Sequence, residues 1–354
     1  MRRVLVTPLV FILLACQITT CKLRQSETSL KDRTEFPEDQ CVFGGAAGSK
    51  PQGYGSELLD AKLWKIISSN AAASVLAYEE ASKIKQTAKE WGFTKVDVLE
   101  ADSMLAFVIS NDHCAVLSFR GTVLSSLRNL IADVRLSKKR VIMTDYALHS
   151  GFYDAVGSLQ RQLNDALRQH RVESKYFWVT GHSLGGAMAG VYAFTNALES
   201  RIAKGPNIHK VVTFGQPLFA NAPLAKDMRK EFLNRYFRVV NDSDIVARIP
   251  YRFEHFGSLV WMKQGAVEFN PDQGQFGGEG NQDVLPAEIP TELRPSAAAE
   301  QEFLQGISQQ QVNTSFPTNG TYGAGATLGW PQFIENHLMT RYVDRIKDEL
   351  ENVL

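Results

Sequence analysis

Gly181-His182-Ser183-Leu184-Gly185 is the segment of this 354-residue chain best suited to covalent chemistry. It follows the apolar run Tyr176–Thr180 and precedes the small-residue run Gly186–Leu198, so its serine stands between a strand and a helix. A turn that tight leaves no room for side chains beside it, which accounts for glycine two residues before and two after. The turn lifts the serine oxygen to the sheet edge, and the free amides of the helix start favour negative charge nearby. Serine is a weak nucleophile at neutral pH and needs a histidine base oriented by a carboxylate. The structural alternative for the same five residues is a glycine-rich helix start packed on a sheet.

On a strand–turn–helix of this kind the chain order is serine, then acid, then histidine. His209, His255 and His337 are the three histidines that follow Ser183. His209 precedes the next strand, and the only acid between it and the serine is Glu199. The buried strand Arg235–Val240 ends in Asn241-Asp242-Ser243-Asp244. Asp242 and Asp244 therefore lie just past the C-terminal end of a strand, where open α/β sheets hold their sites. Either can equally be a turn former. An attacked carbonyl becomes an oxyanion and needs preorganised donors. One is the amide of Leu184, next to the serine. The other is expected at the end of an earlier strand, where Phe119-Arg120-Gly121-Thr122 offers Thr122. A plain turn after a strand reads the same way.

These residues need a scaffold, and the hydrophobic pattern supplies one. Leu59, Leu63, Ile66, Ile67, Ala71, Val75, Tyr78 and Ile84 recur at helical spacing across 57–90, as one long or two consecutive helices. Strand-like runs follow at Lys95–Leu99, Met104–Ser110 and Ala115–Arg120. Residues 152–170 are helical by pattern, and Val211–Phe214 and Tyr236–Val240 are further buried strands. Strands alternating with helices imply an α/β protein with a mainly parallel sheet. Residues 264–330 are rich in Gly, Gln, Asn, Pro and Ala and read as a loop excursion or partly ordered insert. A last helix, Ile334–Leu350, closes the chain.

A second feature lies between strands. Val123, Leu124, Leu127, Leu130, Ile131 and Val134 recur at helical spacing with Arg128 and Asp133 between them. A short amphipathic helix there could cover the serine in water and turn its apolar face to lipid at an interface. A surface helix packed permanently on the core has the same pattern. The basic run Arg135, Lys138, Lys139 and Arg140 suits an anionic interface, or simply a solvated loop.

Composition bounds the rest. Lys plus Arg and Asp plus Glu both number 38, which argues against a whole-domain basic surface for nucleic acid. Arg2 and Arg3 precede the apolar run Val4–Ala15, the pattern of a secretory signal over residues 1–20, with a single domain over 21–354. No later apolar run is long enough to span a bilayer. In an oxidising compartment Cys41 could pair with Cys21 or Cys114, or Cys114 could stay a free buried thiol. No usual zinc-ligand spacing occurs. Asn241, Asn313 and Asn319 are glycosylation sequons, of which Asn241, directly after a strand, is expected to be blocked.

Together the motifs resemble the class 3 lipases, the fungal-type triacylglycerol lipase family, over about 57–262 and the segment around His337. Phe119-Arg-Gly-Thr122 looks like the family's oxyanion strand, Ser126–Val134 its lid, and His149-Ser-Gly-Phe152 its H-x-G-F element. Gly181–Gly186 is similar to its nucleophile turn, and Thr213-Phe-Gly-Gln-Pro217 to the strand and turn that follow. Arg238–Val246 resembles its acid segment, which places the acid on Asp244. His255, Gly257 and Trp261 resemble the next strand. Asn336-His337-Leu338 looks like the segment of the catalytic histidine, with His255 as the substitute base. Leu130 stands where the family often has tryptophan, and Ala247 where proline is common.

The resemblance implies an α/β-hydrolase fold: a central, mostly parallel sheet with helices on both faces and a helical lid. It implies a Ser183–Asp244–His337 triad, oxyanion amides from Thr122 and Leu184, and lid residues Leu127, Leu130 and Ile131. The expected protein is a secreted monomeric glycoprotein that cleaves lipid esters at a lipid–water interface, with no metal or organic cofactor. Phospholipase A1 and a soluble feruloyl or short-chain esterase share every motif. An inactive lipid-binding or interaction protein on the same fold is the rival of a different class.

Overall fold

The structure, a computed structural model, describes residues 41–44, 61–123, 139–141, 145–200, 205–250, 253–263, 266–270 and 336–351. All of them belong to one compact unit spanning 38–354. The signal-like segment, the lid residues Leu127, Leu130 and Ile131, and Asn313 and Asn319 lie outside the described residues.

Helices α1 (Ala61–Leu76) and α2 (Ala81–Glu90) come first, two helices where the periodicity allowed one. Strands β1 (Lys95–Ala101), β2 (Met104–Ser110) and β3 (Cys114–Phe119) follow. A short ribbon, β4 (Lys139–Val141) and β5 (Ala147–His149), leads into α3 (Ser150–His170). Then come β6 (Tyr176–His182), α4 (Leu184–Ser200), β7 (Ile208–Phe214), α5 (Ala222–Glu231), β8 (Tyr236–Asn241), β9 (Ser258–Lys263), β10 (Ala266–Asn270) and α6 (Met339–Glu351). The main sheet has the order β1-β2-β3-β6-β7-β8-β9-β10. Its central strands β3, β6, β7, β8 and β9 run parallel, and the antiparallel strands β1, β2 and β10 flank them.

Alternation along the central strands creates two cores. Phe177, Val179, Val211 and Tyr236 face α3, α4 and α5. Trp178, Val212, Phe214, Phe237 and Val239 face the opposite layer of α1, α2 and α6. Both faces of the inner strands are therefore apolar, as a parallel sheet requires. Full burial of each such side chain contributes about 1.5–3 kcal/mol, so these strands hold the sheet's centre rigid beneath the site.

Two boundaries differ from the sequence reading. Ala266–Asn270, placed in the polar excursion, is an edge strand paired with β9. Val267 and Phe269 alternate inward and are buried, a short two-residue period masked by Glu268 and Asn270. The last helix begins at Met339 rather than Ile334, so Asn336-His337-Leu338 is a turn before it. Of the open cysteine pairings, the structure has Cys41–Cys114, with Cα atoms 5.6 Å apart across 73 residues. It ties the segment before α1 to the start of β3.

The element His149-Ser-Gly-Phe152 is a structural device. The His149 Nδ1 accepts from the Phe152 amide and caps α3 at 3.3 Å. Its ring stacks on Phe152 at 3.8 Å between centroids.

Candidate active site

The turn after β6 puts Ser183 at φ +58°, in the left-handed region that non-glycine residues enter at a cost of roughly 1–3 kcal/mol. The surroundings hold it there. The Ser183 amide donates to Phe214 O of β7 at 2.9 Å, and Ala187 N donates to Ser183 O at 3.2 Å. A Cβ on Gly181 would meet Gly186 N at 2.9 Å, so the two sides of the turn leave each other no space. A Cβ on Gly185 would press on the backbone of Phe119 and Arg120, with carbonyl carbons at 2.8 and 2.9 Å. Gly185 is thus demanded less by the turn than by the strand end that passes beside it.

Three side chains from three elements then meet. His337 Nε2 lies 2.8 Å from Ser183 Oγ. His337 Nδ1 lies 3.0 and 2.9 Å from the two oxygens of Asp244. All three residues are at most 1% exposed. With Nδ1–H donating to the carboxylate, Nε2 offers its lone pair to the serine hydroxyl, the arrangement that nucleophilic serine chemistry requires.

Asp244 is held ionised although fully buried. Burial pushes its carboxyl upward, but the His337 charge and hydrogen bonds from His337 and Tyr342 outweigh this and hold it below the usual range. Tyr342 Oη donates to Oδ2 at 2.5 Å, and the Val246 amide donates to Oδ1 at 2.8 Å. Gly215, at φ +54°, clears the space around the pair. A Cβ there would sit 2.6 Å from Asp244 Oδ2 and 2.9 Å from His337 Nδ1.

The other candidates are engaged elsewhere. Asp242 accepts from Asn336 Nδ2 at 3.3 Å and shapes the turn before Asp244. His255 Nε2 donates to Ala247 O at 2.8 Å, and burial holds its pKa well below the ordinary value. His209 Nδ1 accepts from the Phe177 amide at 3.1 Å. Thr122 directly follows Gly121, whose Cβ position lies 3.2 Å from Ser183 Cβ. Leu184 opens α4, so its amide is among the first-turn donors that no helical carbonyl satisfies. Asn241 is buried, with Nδ2 donating to Asn336 O at 3.0 Å. No cluster of three or more His, Cys, Asp or Glu among the described residues could hold a metal ion, and no described helix is long and apolar enough to cross a membrane.

Sequence reasoning missed Tyr342, Gly215 and the role of Asn336. Tyr342 lies five residues past His337 on the buried face of α6, where it reads as ordinary core. Gly215 is one glycine in a turn, and only its positive φ beside two catalytic-type groups marks it.

Comparison with known proteins agrees with the geometry. Residues 116–254 match the model of the family described as lipase (class 3). The chain is 32% identical to triacylglycerol lipase OBL1 of Arabidopsis thaliana over 153 residues, 40% of this chain and 28% of that protein. It is 29% identical to the secreted mono- and diacylglycerol lipase LIP4 of Malassezia restricta over 184 residues, 48% of this chain and 60% of that protein. The solved Rhizomucor miehei triacylglyceride lipase is similar at 25% identity, with a TM-score of 0.45, over 57% of this chain and 81% of that one. The chain thus spans well under half the length of the plant relative. The family match ends before His337, which joins the site through the fold rather than the matched segment. The parallel strands β3, β6, β7 and β8, the Ser183 turn and the Asp244 loop form the mostly parallel centre expected of an α/β-hydrolase fold, and residues 116–254 match the class 3 lipase family.

Proposed function

We propose that this chain is a secreted serine hydrolase that cleaves carboxylic esters of acylglycerols at a lipid–water interface. The hydrogen-bonded series Ser183 Oγ–His337 Nε2 and His337 Nδ1–Asp244 carries this reading. Ser183 attacks the ester carbonyl while His337 takes the hydroxyl proton. The developing oxyanion is stabilised by the amides of Thr122 and Leu184. Asp244 keeps the His337 ring oriented and stabilises its cationic form. Collapse of the tetrahedral intermediate expels the alcohol, which takes the proton from His337. Water then attacks the acyl-serine by the same route and releases the fatty acid. Every group used is a side chain or amide of the protein.

Several observations support the acylglycerol and secretion readings. The relatives named above are triacylglycerol and mono- and diacylglycerol lipases, one of them named as secreted. The apolar periodicity at Leu127, Leu130 and Ile131 suits a lid, and the Cys41–Cys114 disulfide suits an oxidising compartment. In the proposed organisation residues 1–20 are a signal, and 21–354 form one hydrolase domain with a polar insert that starts after β10, at about 271–330.

The test presents the purified protein and Ser183→Ala with a short soluble ester, an emulsified triacylglycerol and a phospholipid. Serine-dependent release of fatty acid from the emulsion, rising steeply once an interface forms, is the expected result. Turnover of the soluble ester alone overturns the acylglycerol reading, and equal rates for both proteins overturn the mechanism.

A further inference from the structure

Ser183 and Asp244 are each carried on the turn after a strand, β6 and β8 respectively. His337 is not: it comes at the end of the long stretch after β10, in a turn before α6. Its backbone must therefore be located by side chains. Asn241 Nδ2 holds the carbonyl of Asn336, and Asn336 Nδ2 donates to Ser243 Oγ at 2.9 Å. A further anchor is His182, the residue before the nucleophile. Its Nε2 lies 2.7 Å from the His337 carbonyl oxygen, and its Nδ1 lies 2.7 Å from Tyr78 Oη.

The pattern admits one assignment of protons. A carbonyl oxygen only accepts, so His182 Nε2 carries the hydrogen, and Nδ1 accepts from the Tyr78 hydroxyl. The His337 carbonyl therefore selects the tautomer, and the Tyr78 hydroxyl, by donating to Nδ1, supports it. Burial lowers the His182 pKa to about 3, so the ring stays neutral and places no second cation beside His337. The two imidazoles lie 4.7 Å apart between centroids. Space is reserved for this arm: a Cβ on Gly121 would collide with Tyr78 Oη and lie 2.5 Å from His182 O.

We propose that Tyr78 and His182 are positioning residues that set the His337 ring at hydrogen-bond distance from Ser183 by gripping the His337 backbone carbonyl. The inference rests on the serine-hydrolase reading of this site. Asp244 fixes the rotation of the ring, and the Tyr78–His182 arm fixes where the ring starts from. Because Asn241 still holds the neighbouring carbonyl, loss of the arm shifts the base without unfolding the turn.

The test compares His182→Asn, His182→Gln and Tyr78→Phe with the parent on p-nitrophenyl butyrate, with kcat counted per serine titratable by an activated phosphonate. Glutamine keeps an amide donor near the place of Nε2, and asparagine does not. His182→Asn is expected to lower kcat about tenfold, the scale of one lost hydrogen bond, with KM within about twofold. His182→Gln should recover most of that loss, and Tyr78→Phe should lower kcat about threefold. The downfield proton resonance of His337 Nδ1–H should shift or broaden in His182→Asn and return in His182→Gln. Unchanged kcat and resonance in folded His182→Asn, or equal behaviour of the Asn and Gln variants, overturns the inference. If the asparagine variant does not fold, Tyr78→Phe, which keeps the ring, decides it by the same two readouts. A parent protein without Ser183-dependent turnover defeats the hydrolase reading, and the resonance still decides the positioning one.

Discussion

At the scale of residues, the site depends on a buried carboxylate kept charged against its surroundings. Asp244 accepts from His337, Tyr342 and the Val246 amide, so replacing it with asparagine removes both the charge and the orientation of the ring. Asp244→Asn should reduce kcat by about a thousandfold or more with KM little changed. Steady-state kinetics on a soluble ester check this, and a loss confined to KM would contradict it. Tyr342→Phe removes one of the hydrogen bonds that depress the Asp244 pKa, so that pKa rises. The carboxyl titration of Asp244 should then lie at higher pH in Tyr342→Phe than in the parent, and an unmoved titration would exclude Tyr342 from supporting the acid. His255, bound to Ala247 O, should be replaceable by glutamine with kcat kept within a few-fold. Ser183 was legible because its chemistry is local, a serine between two glycines at a strand–helix junction. The choice of Asp244 over Asp242 was not, since both end the same strand and only the resemblance separated them. What separates them physically is tertiary: Asp242 is drawn into the turn by Asn336, while Asp244 is met by His337 and Tyr342.

At the scale of elements, the strand end at Phe119 and the start of α4 must lie nearly in contact for the proposed oxyanion amides of Thr122 and Leu184 to converge. Gly185→Ala places a methyl group against the Phe119 and Arg120 backbone. It should cut kcat at least a hundredfold, because a small displacement of the serine turn from the oxyanion strand is enough. Gly186→Ala, facing only a looser contact at 3.1 Å, should lose less in the same kinetic assay. Equal effects would show that the strand contact is unimportant. The inner strands β3, β6, β7 and β8 were readable because both their faces are apolar. β10 escaped notice because its two inward residues, Val267 and Phe269, alternate in sequence with polar Glu268 and Asn270. The ribbon β4–β5 and helix α5 carry too weak a pattern for periodicity to find. His337 was expected to open the last helix and instead lies in the preceding turn, a position set by Asn241 and His182 rather than by helix signals.

At the scale of the whole molecule, stability should fall with acid. Burial keeps His182, His255 and His170 less basic than in the unfolded chain, where histidine titrates near 6.5. A folded pKa below the unfolded one means that the unfolded chain binds more protons. Stability is therefore full above about pH 6.5 and falls as pH drops toward the folded values. Asp244, also lowered, adds the same sign below about pH 4. Thermal unfolding between pH 7 and 4 should show a steadily decreasing Tm. A Tm that rises in that window would contradict the burial of these rings as neutral groups. The Cys41–Cys114 bond closes a loop across 73 residues, for which chain entropy gives roughly 4 kcal/mol. The sequence left that pairing open because spacing alone does not bring cysteines together; β3 and the segment before α1 do. The central claim is that Ser183 is the one residue acylated during turnover. Treatment with a p-nitrophenyl alkylphosphonate, followed by peptide mass spectrometry and assay of the residual ester hydrolysis, tests it most directly. The account predicts a stoichiometric adduct on Ser183 whose formation parallels loss of activity and is absent in His337→Ala. An adduct on another residue, or full activity in protein labelled at Ser183, would contradict it.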